Sequence, residues 1–459
     1  LKLKSFHITA LAIILPFVVV VYSLQYPFFW DTLLTSTVTQ YFFEHGFQQG
    51  IIPAEWDAGH PPFFYYYITG MYHLFGKSLV TAHAAMLPFA ILGAIAFLQL
   101  LRHFAFSNQQ QFWSIVFFFS VPAVTTQYSL VSYDAVLLSA YLFGLNAYVR
   151  KRRWLLMLAA LLLVAVSLRG VVLLAALSVT GFFLQRRHFR AWWQMQWHFL
   201  PAVLWIAVWY TYHYLQTGWW LSTPAEGWSA HRGLVGGAGW LKNLVSIARA
   251  MLDLGALWLS GGALLYIFRK KRLDKMTLLW LVPAVLLSLS FLPFSNPINH
   301  RYYLVVLVAM IPALVLWLSH QHKLTSVVVV LLVLCGHIQL YPGTISNGWD
   351  CTLAHADYFP LRRQLEDFLA TNTIDKSEIG TVFPMNNSLR QSHMDTDSVR
   401  MRNIHGETMD SLPYILYSNI GNDFSDEQVA ALQHWPVSWK GEKGMVRLVL
   451  YQNPLIINK

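Results

Sequence analysis

The 459 residues are 56% hydrophobic and 12% charged, with 19 Trp, 22 Tyr and 30 Phe and a mean hydropathy of +0.44. That composition excludes an ordinary soluble domain and matches a polytopic helical membrane protein. The net charge of +10 does not indicate nucleic-acid binding, because the basic residues read as topology signals, and the two cysteines, Cys335 and Cys351, provide neither a disulfide framework nor metal-ligand spacing.

A bilayer core takes about 17–25 apolar residues as helix. Candidate spans run over 6–24, 79–101, 111–127, 132–149, 154–168, 171–185, 198–215, 251–268, 277–293, 301–318 and 324–341, about 11 in all. Lys2 and Lys4 precede the first as they would a signal peptide. Gln25-Tyr26-Pro27-Phe28-Phe29-Trp30 follows it in place of a small-residue cleavage site, so it is read as a span. Residues 1–341 carry 22 Lys and Arg against 8 Asp and Glu, and residues 342–459 carry 10 against 14. With the N-terminus inside, 16 of those 22 basic residues are cytoplasmic and the C-terminus is outside. Asp31, Glu44, Glu55, Asp57, Asp134, Glu226 and Asp253 then share the outer face, leaving Asp274 inside.

Two outer loops are long. Within the first, 26–78, Leu34, Val38 and Phe42 recur at helical spacing among threonines and Gln40, which predicts a helix in the interface plane or an ordinary amphipathic packing helix. The second, 216–250, holds Trp219, Trp220, Glu226, His231 and Arg232 and then Gly233, Gly236, Gly237 and Gly239, reading as a mobile lid or as a connector. The membrane part is expected over 1–341. After it the charge density rises, and short apolar runs (Gly380 to Phe383, Tyr414 to Ile420, Val446 to Tyr451) alternate with helical stretches, predicting a small outer-side α/β domain over 342–459. Ser425-Asp426-Glu427-Gln428 has the pattern of a capping box.

Ionisable groups at membrane depth or edge are costly, and each marks a functional candidate. Asp31 follows the first span. Asp57 and His60 precede the rigid Pro61-Pro62, Asp134 opens the fourth span, Arg169 lies in the turn Ser167-Leu168-Arg169-Gly170, and His300-Arg301-Tyr302-Tyr303 opens the tenth. A base for a hydroxyl and cations for a departing phosphate are what glycosyl transfer from a lipid phosphate requires. Against these stand a helix cap at Asp31, snorkelling anchors at Arg169 and Arg301, and a polar turn residue at His60.

These motifs resemble the polyprenyl-phosphate-sugar-dependent glycosyltransferases of the C-type membrane fold, among them protein O-mannosyltransferases and lipid A aminoarabinose transferases. The resemblance rests on Trp30-Asp31 through Gly46, on Asp57-Ala58-Gly59-His60-Pro61-Pro62-Phe63 to Leu74-Phe75-Gly76, and more weakly on Asp134, Ser167 to Gly170, and Arg301-Tyr302-Tyr303 with Pro312, over most of 1–320. It implies an inverting transfer with Asp31 as general base; a hydroxyl acceptor is expected, and Asp57 is read beside Asp31 as a second catalytic carboxylate. The donor phosphate would be held by Arg169 and Arg301 with His60 and His300, while Asp134, Glu226, His231 and Arg232 serve substrate or lid. Thr32, Leu34, Gln40 and His60 depart from the residues common in that family. No cofactor is called for, and a divalent cation is left open. The expected partners are a polyprenyl-phosphate-sugar donor, the membrane and an acceptor glycan, lipid or protein. The expected location is a bacterial inner membrane with the site facing the periplasm. A polyprenyl-glycolipid flippase or transporter is the rival, though no internal repeat supports it.

Overall fold

The structure, a computed structural model, describes residues 4–47, 50–185, 188–221, 232–338, 348–405, 408–421 and 423–457. Glu226 and His231, and with them the middle of the expected 216–250 lid, lie outside the described residues.

Each of the 11 expected segments meets a helix, but many of the helices are short or broken. Ser5–Tyr22, Leu79–His103 and His300–Leu318 are long and apolar enough to cross a membrane. Two bent pairs, Pro122–Ser129 with Tyr133–Val149 (114°) and Gly237–Leu252 with Ala256–Lys270 (88°), make five among the described residues if each is one span. The breaks have local causes. The predicted 111–127 segment is interrupted at Val121 because Pro122 cannot donate the next helical hydrogen bond. The Gly237–Leu252 helix ends where Leu254 and Gly255 both take positive φ, 51° and 80°.

One expectation is corrected here. The glycines of 233–239 do not open a long loop: Gly236 caps, and Gly237 and Gly239 begin, the 16-residue helix Gly237–Leu252. Its Asn243, Ile247 and Ala250 recur at helical spacing and are buried, and Asn243 Nδ2 donates to the carbonyls of Leu292 (2.9 Å) and Phe294 (2.8 Å).

The region after the last apolar helix forms a five-stranded sheet from β1 (Ile379–Thr381), β2 (Arg402–Asn403), β3 (Tyr414–Ser418), β4 (Val437–Lys443) and β5 (Val446–Gln452), in the order β2-β1-β3-β5-β4. The β1 pairings are parallel, whereas β3–β5 and β4–β5 are antiparallel. The helices Tyr358–Thr371 and Asp426–Leu432 accompany it, the latter with the expected capping box at Ser425 and Gln428.

This region is joined to the helical part by its core. Phe29 and Leu130 are buried with Tyr358, Phe359 and Leu361, and Phe29 stacks on His355 at 4.8 Å. Burying a Phe contributes roughly 1.5–3 kcal/mol, so the segment leading to Asp31 is pinned by the tail. The helix Thr32–His45 is pinned as well. Gln40 Nε2 donates to the Arg390 carbonyl (2.9 Å), Gln391 to Thr37 (2.9 Å), and Arg390 pairs with Glu44 at 2.7 Å. Its polar face therefore meets protein.

Candidate active site

Asp31 precedes the Thr32–His45 helix, where an Asp would ordinarily accept a bond from the first turn. It makes no such cap. Trp30 before it holds a left-handed backbone (φ 56°), a conformation costing a bulky L-residue about 1–2 kcal/mol, and its ring rests edge-on against Phe383 at 5.4 Å. The turn delivers the Asp31 carboxylate to Arg301, while 38% of the side chain stays exposed.

Arg301 is the hub. Its Nη2 donates to Asp31, its Nη1 to Asp350, and its Nε lies 3.3 Å from Asp134, so one guanidinium that is 5% exposed serves three carboxylates. Arg169 pairs with Asp134 from the other side and lies over the Tyr302 ring at 4.0 Å and the Tyr133 ring at 5.3 Å. A rigid planar fork is suited to this sharing, whereas a lysine ammonium is not. Local sequence fixes both Arg169 and Asp134. Ser167 caps the Leu168–Leu184 helix through Arg169 N (3.3 Å), and a Cβ on Gly170 would strike the Leu163 carbonyl, so the preceding helix packs directly on this turn. Ser132 caps the Tyr133–Val149 helix by accepting from Asp134 N (3.1 Å).

A second group of residues lies beside this centre. Asp57 is 2% exposed and fully engaged: Oδ1 accepts from Gly59 N (2.8 Å), and Oδ2 meets His213 Nε2 at 2.8 Å. Tyr210 donates to the Gly59 carbonyl and Arg232 to the Ala58 carbonyl, both at 2.9 Å. Gly59 has φ 76°, and a Cβ there would press on the Leu221 carbonyl at 3.3 Å, so the turn needs its glycine. The turn leads to His60, whose ring meets Tyr133 edge-on at 5.8 Å and whose Nδ1 is buried without a hydrogen-bond partner among the described residues. Burial, together with the charges of Arg232 and Arg169, holds the His60 imidazole well below its ordinary pKa, so it is neutral near pH 7. Burial also lowers Arg232, with Arg169 adding to the effect, and no carboxylate lies within ion-pair distance of Arg232 among the described residues.

The sequence-selected residues thus divide. Asp31, Asp134, Arg169 and Arg301 share one network, and His60 and Arg232 stand at its edge. Asp57 belongs to the turn's own scaffold, and His300 Nε2 lies 3.5 Å from Asp253. Sequence reasoning missed Asp350 and His213. Asp350 lies past the last apolar helix, where nothing local distinguishes it. His213 did carry a signal, an ionisable side chain in the last turns of a candidate span, obscured by its aromatic neighbours Trp209, Tyr210, Tyr212 and Tyr214. Among the described residues no three His, Cys, Asp or Glu side chains cluster so as to hold a metal ion.

No family model and no curated protein sequence matches the chain. Two solved structures are similar in fold. One is ArnT from Cupriavidus metallidurans bound to undecaprenyl phosphate: it is 13% identical with a TM-score of 0.49, over 98% of this chain and 99% of that one. The other is the arabinofuranosyltransferase AftD from Mycobacteria, 13% identical with a TM-score of 0.48, over 97% of this chain and 39% of that one.

Proposed function

We propose that the protein is an inverting glycosyltransferase that moves a sugar from a polyprenyl-phosphate donor to a hydroxyl acceptor at the outer face of a membrane. The observation that carries this reading is the Asp31 carboxylate, partly open and held by the buried Arg301 at the ends of apolar helices, with Arg169, Arg232 and His60 close by. Asp31 accepts the acceptor's proton as its oxygen bonds to the anomeric carbon. The bond from that carbon to the phosphate oxygen breaks on the opposite face, and the electron pair leaves with the lipid phosphate.

Arg301 already has three carboxylates, which favours a division of labour in which it orients Asp31. The departing phosphate then falls to Arg169, Arg232 and a neutral His60 able to donate one hydrogen bond. An apolar groove of about 420 Å³, lined in part by Val171, Leu174, Trp197, Leu200 and Val203, runs along the helix that Arg169 begins and suits an isoprenoid tail. The site faces the periplasm in this reading, which follows from the placement of the basic loops.

The test is transfer itself. Purified protein in lipid nanodiscs, given polyprenyl-phosphate sugars and a panel of hydroxyl acceptors, should release free polyprenyl phosphate, detected by mass spectrometry. Release from the wild type and not from Asp31→Asn is the expected result. Donor binding without release in both proteins would overturn the reading.

A further inference from the structure

Asp350 lies beyond the apolar helices, in the region that builds the sheet, yet it is fully buried against a charge of the helical part. Its Oδ2 accepts from Arg301 Nη1, and its Oδ1 accepts from Asn299 Nδ2 at 3.1 Å. Its backbone carbonyl accepts from Gln127 Nε2 at 2.7 Å. Gln127 in turn accepts from the Ser132 hydroxyl, which accepts from Asp134 N at 3.1 Å. Asp134 closes the ring on Arg301 Nε at 3.3 Å. Next to it, Trp349 is buried and donates through Nε1 to the Asn419 carbonyl at 3.1 Å, just after β3, so the sheet region fixes this corner.

A guanidinium is rigid and planar, so fixing two of its nitrogens fixes the direction of the third. Asp350 accepts a hydrogen bond from Nη1, Asp134 faces Nε at ion-pair distance, and Nη2 is thereby aimed at Asp31. The hydrogen bonds of this buried network favour one orientation of Arg301 over the alternatives, while Nε is drawn to Asp134 by charge and has no hydrogen-bond partner among the described residues. We infer that Asp350 is a positioning residue of the transfer site: through Arg301 it holds the Asp31 carboxylate in the orientation that takes the acceptor's proton. The region after the apolar helices is then part of the active site. The inference rests on Asp31 acting as base.

The test uses the full chain in nanodiscs. Asp350→Asn keeps the shape and removes the charge, and kcat should fall about tenfold or more while donor KM changes less than about threefold, because the loss is in the transition state. Asp350→Glu, which restores the charge, should recover part of kcat. Asn299→Ala leaves the carboxylate and removes the amide donor from its second oxygen, so a smaller loss of kcat is expected there, and it serves should Asp350→Asn fold poorly. Hydrogen exchange supplies an arm without catalysis: amides of 299–303 should lose protection in Asp350→Asn or Asn299→Ala. A wild-type protein silent in transfer counts against the glycosyltransferase reading. Wild-type kcat in the folded variants, or unchanged protection of 299–303, overturns the role of Asp350.

Discussion

Arg301 donates to Asp31 across 270 residues of chain, and through that bond the tenth candidate span reaches the end of the first. The bond separates two readings that the sequence left open for Asp31. A helix cap would point its carboxylate at its own first turn, but here it leaves the turn uncapped and meets a cation.

Asp31→Asn should therefore act on chemistry. The amide retains an acceptor for Arg301, so folding and donor affinity change little. General-base assistance is worth about 10²–10⁴-fold, and turnover should fall by at least the lower figure. Single-turnover release of polyprenyl phosphate, alongside donor binding, measures both. Near-normal release would move the base elsewhere.

Replacing Arg301 tests the hub. Arg301→Ala removes a cation shared by three carboxylates: Asp134 keeps Arg169, but the buried Asp350 loses its cationic partner, and breaking one side of a buried pair costs about 3–5 kcal/mol. Thermal unfolding in detergent should show a larger loss for Arg301→Ala than for Arg169→Ala, since among the described residues Arg169 forms an ion pair with Asp134 alone. Arg301→Lys should recover stability only in part, because an ammonium cannot address three separated carboxylates. A larger loss from Arg169→Ala would place the hub there.

The cost of charge at a membrane edge made Asp31, Asp134, Arg169 and Arg301 visible in the sequence, and the structure joins all four. The length of the apolar runs marked the helical segments, and helical periodicity marked the helix after Asp31. Partnership was not legible. Asp57 and Asp31 look alike as carboxylates in one outer loop, and only the long-range contact with His213 sets Asp57 apart. Asp350 was hidden for the same reason: its burial depends on Asn299, Gln127 and Arg301, all distant in the chain. The glycines of 233–239 misled because glycine permits both a loop and the cap of a helix, and the choice is made by the buried face of Asn243, Ile247 and Ala250.

Asp57→Asn should behave differently from Asp31→Asn. Its carboxylate ties the Gly59 turn to His213, so the amide weakens a buried charge-assisted contact at a cost of about 1–3 kcal/mol. Thermal stability should drop, and turnover in the folded fraction should fall less than in Asp31→Asn. His213→Ala, which leaves Asp57 buried with one partner fewer, should destabilise at least as much. A dead Asp57→Asn enzyme of wild-type stability, beside an active Asp31→Asn, would make Asp57 the base.

The junction between the tail and the helical part should loosen in mild acid. Burial pushes the His355 imidazole down to about 4, repulsion from His337 and His83 adds to this, and its bond to the Thr352 carbonyl partly opposes it. In the unfolded chain the same group titrates near 6.5. As pH falls, the unfolded state takes up the proton first, so stability is complete above about 6.5 and drains away as pH drops toward 4. The full effect is on the order of 3 kcal/mol. Burial likewise holds His393 at about 4, assisted by Arg362 and Arg363, and it adds in the same direction. Unfolding temperatures of the full chain should therefore decline between pH 7 and 5, before most carboxylates titrate. His355→Phe keeps an aromatic ring against Phe29 and removes the titration, so it should flatten that decline. An equal slope in the variant would show that the acid sensitivity arises at other groups.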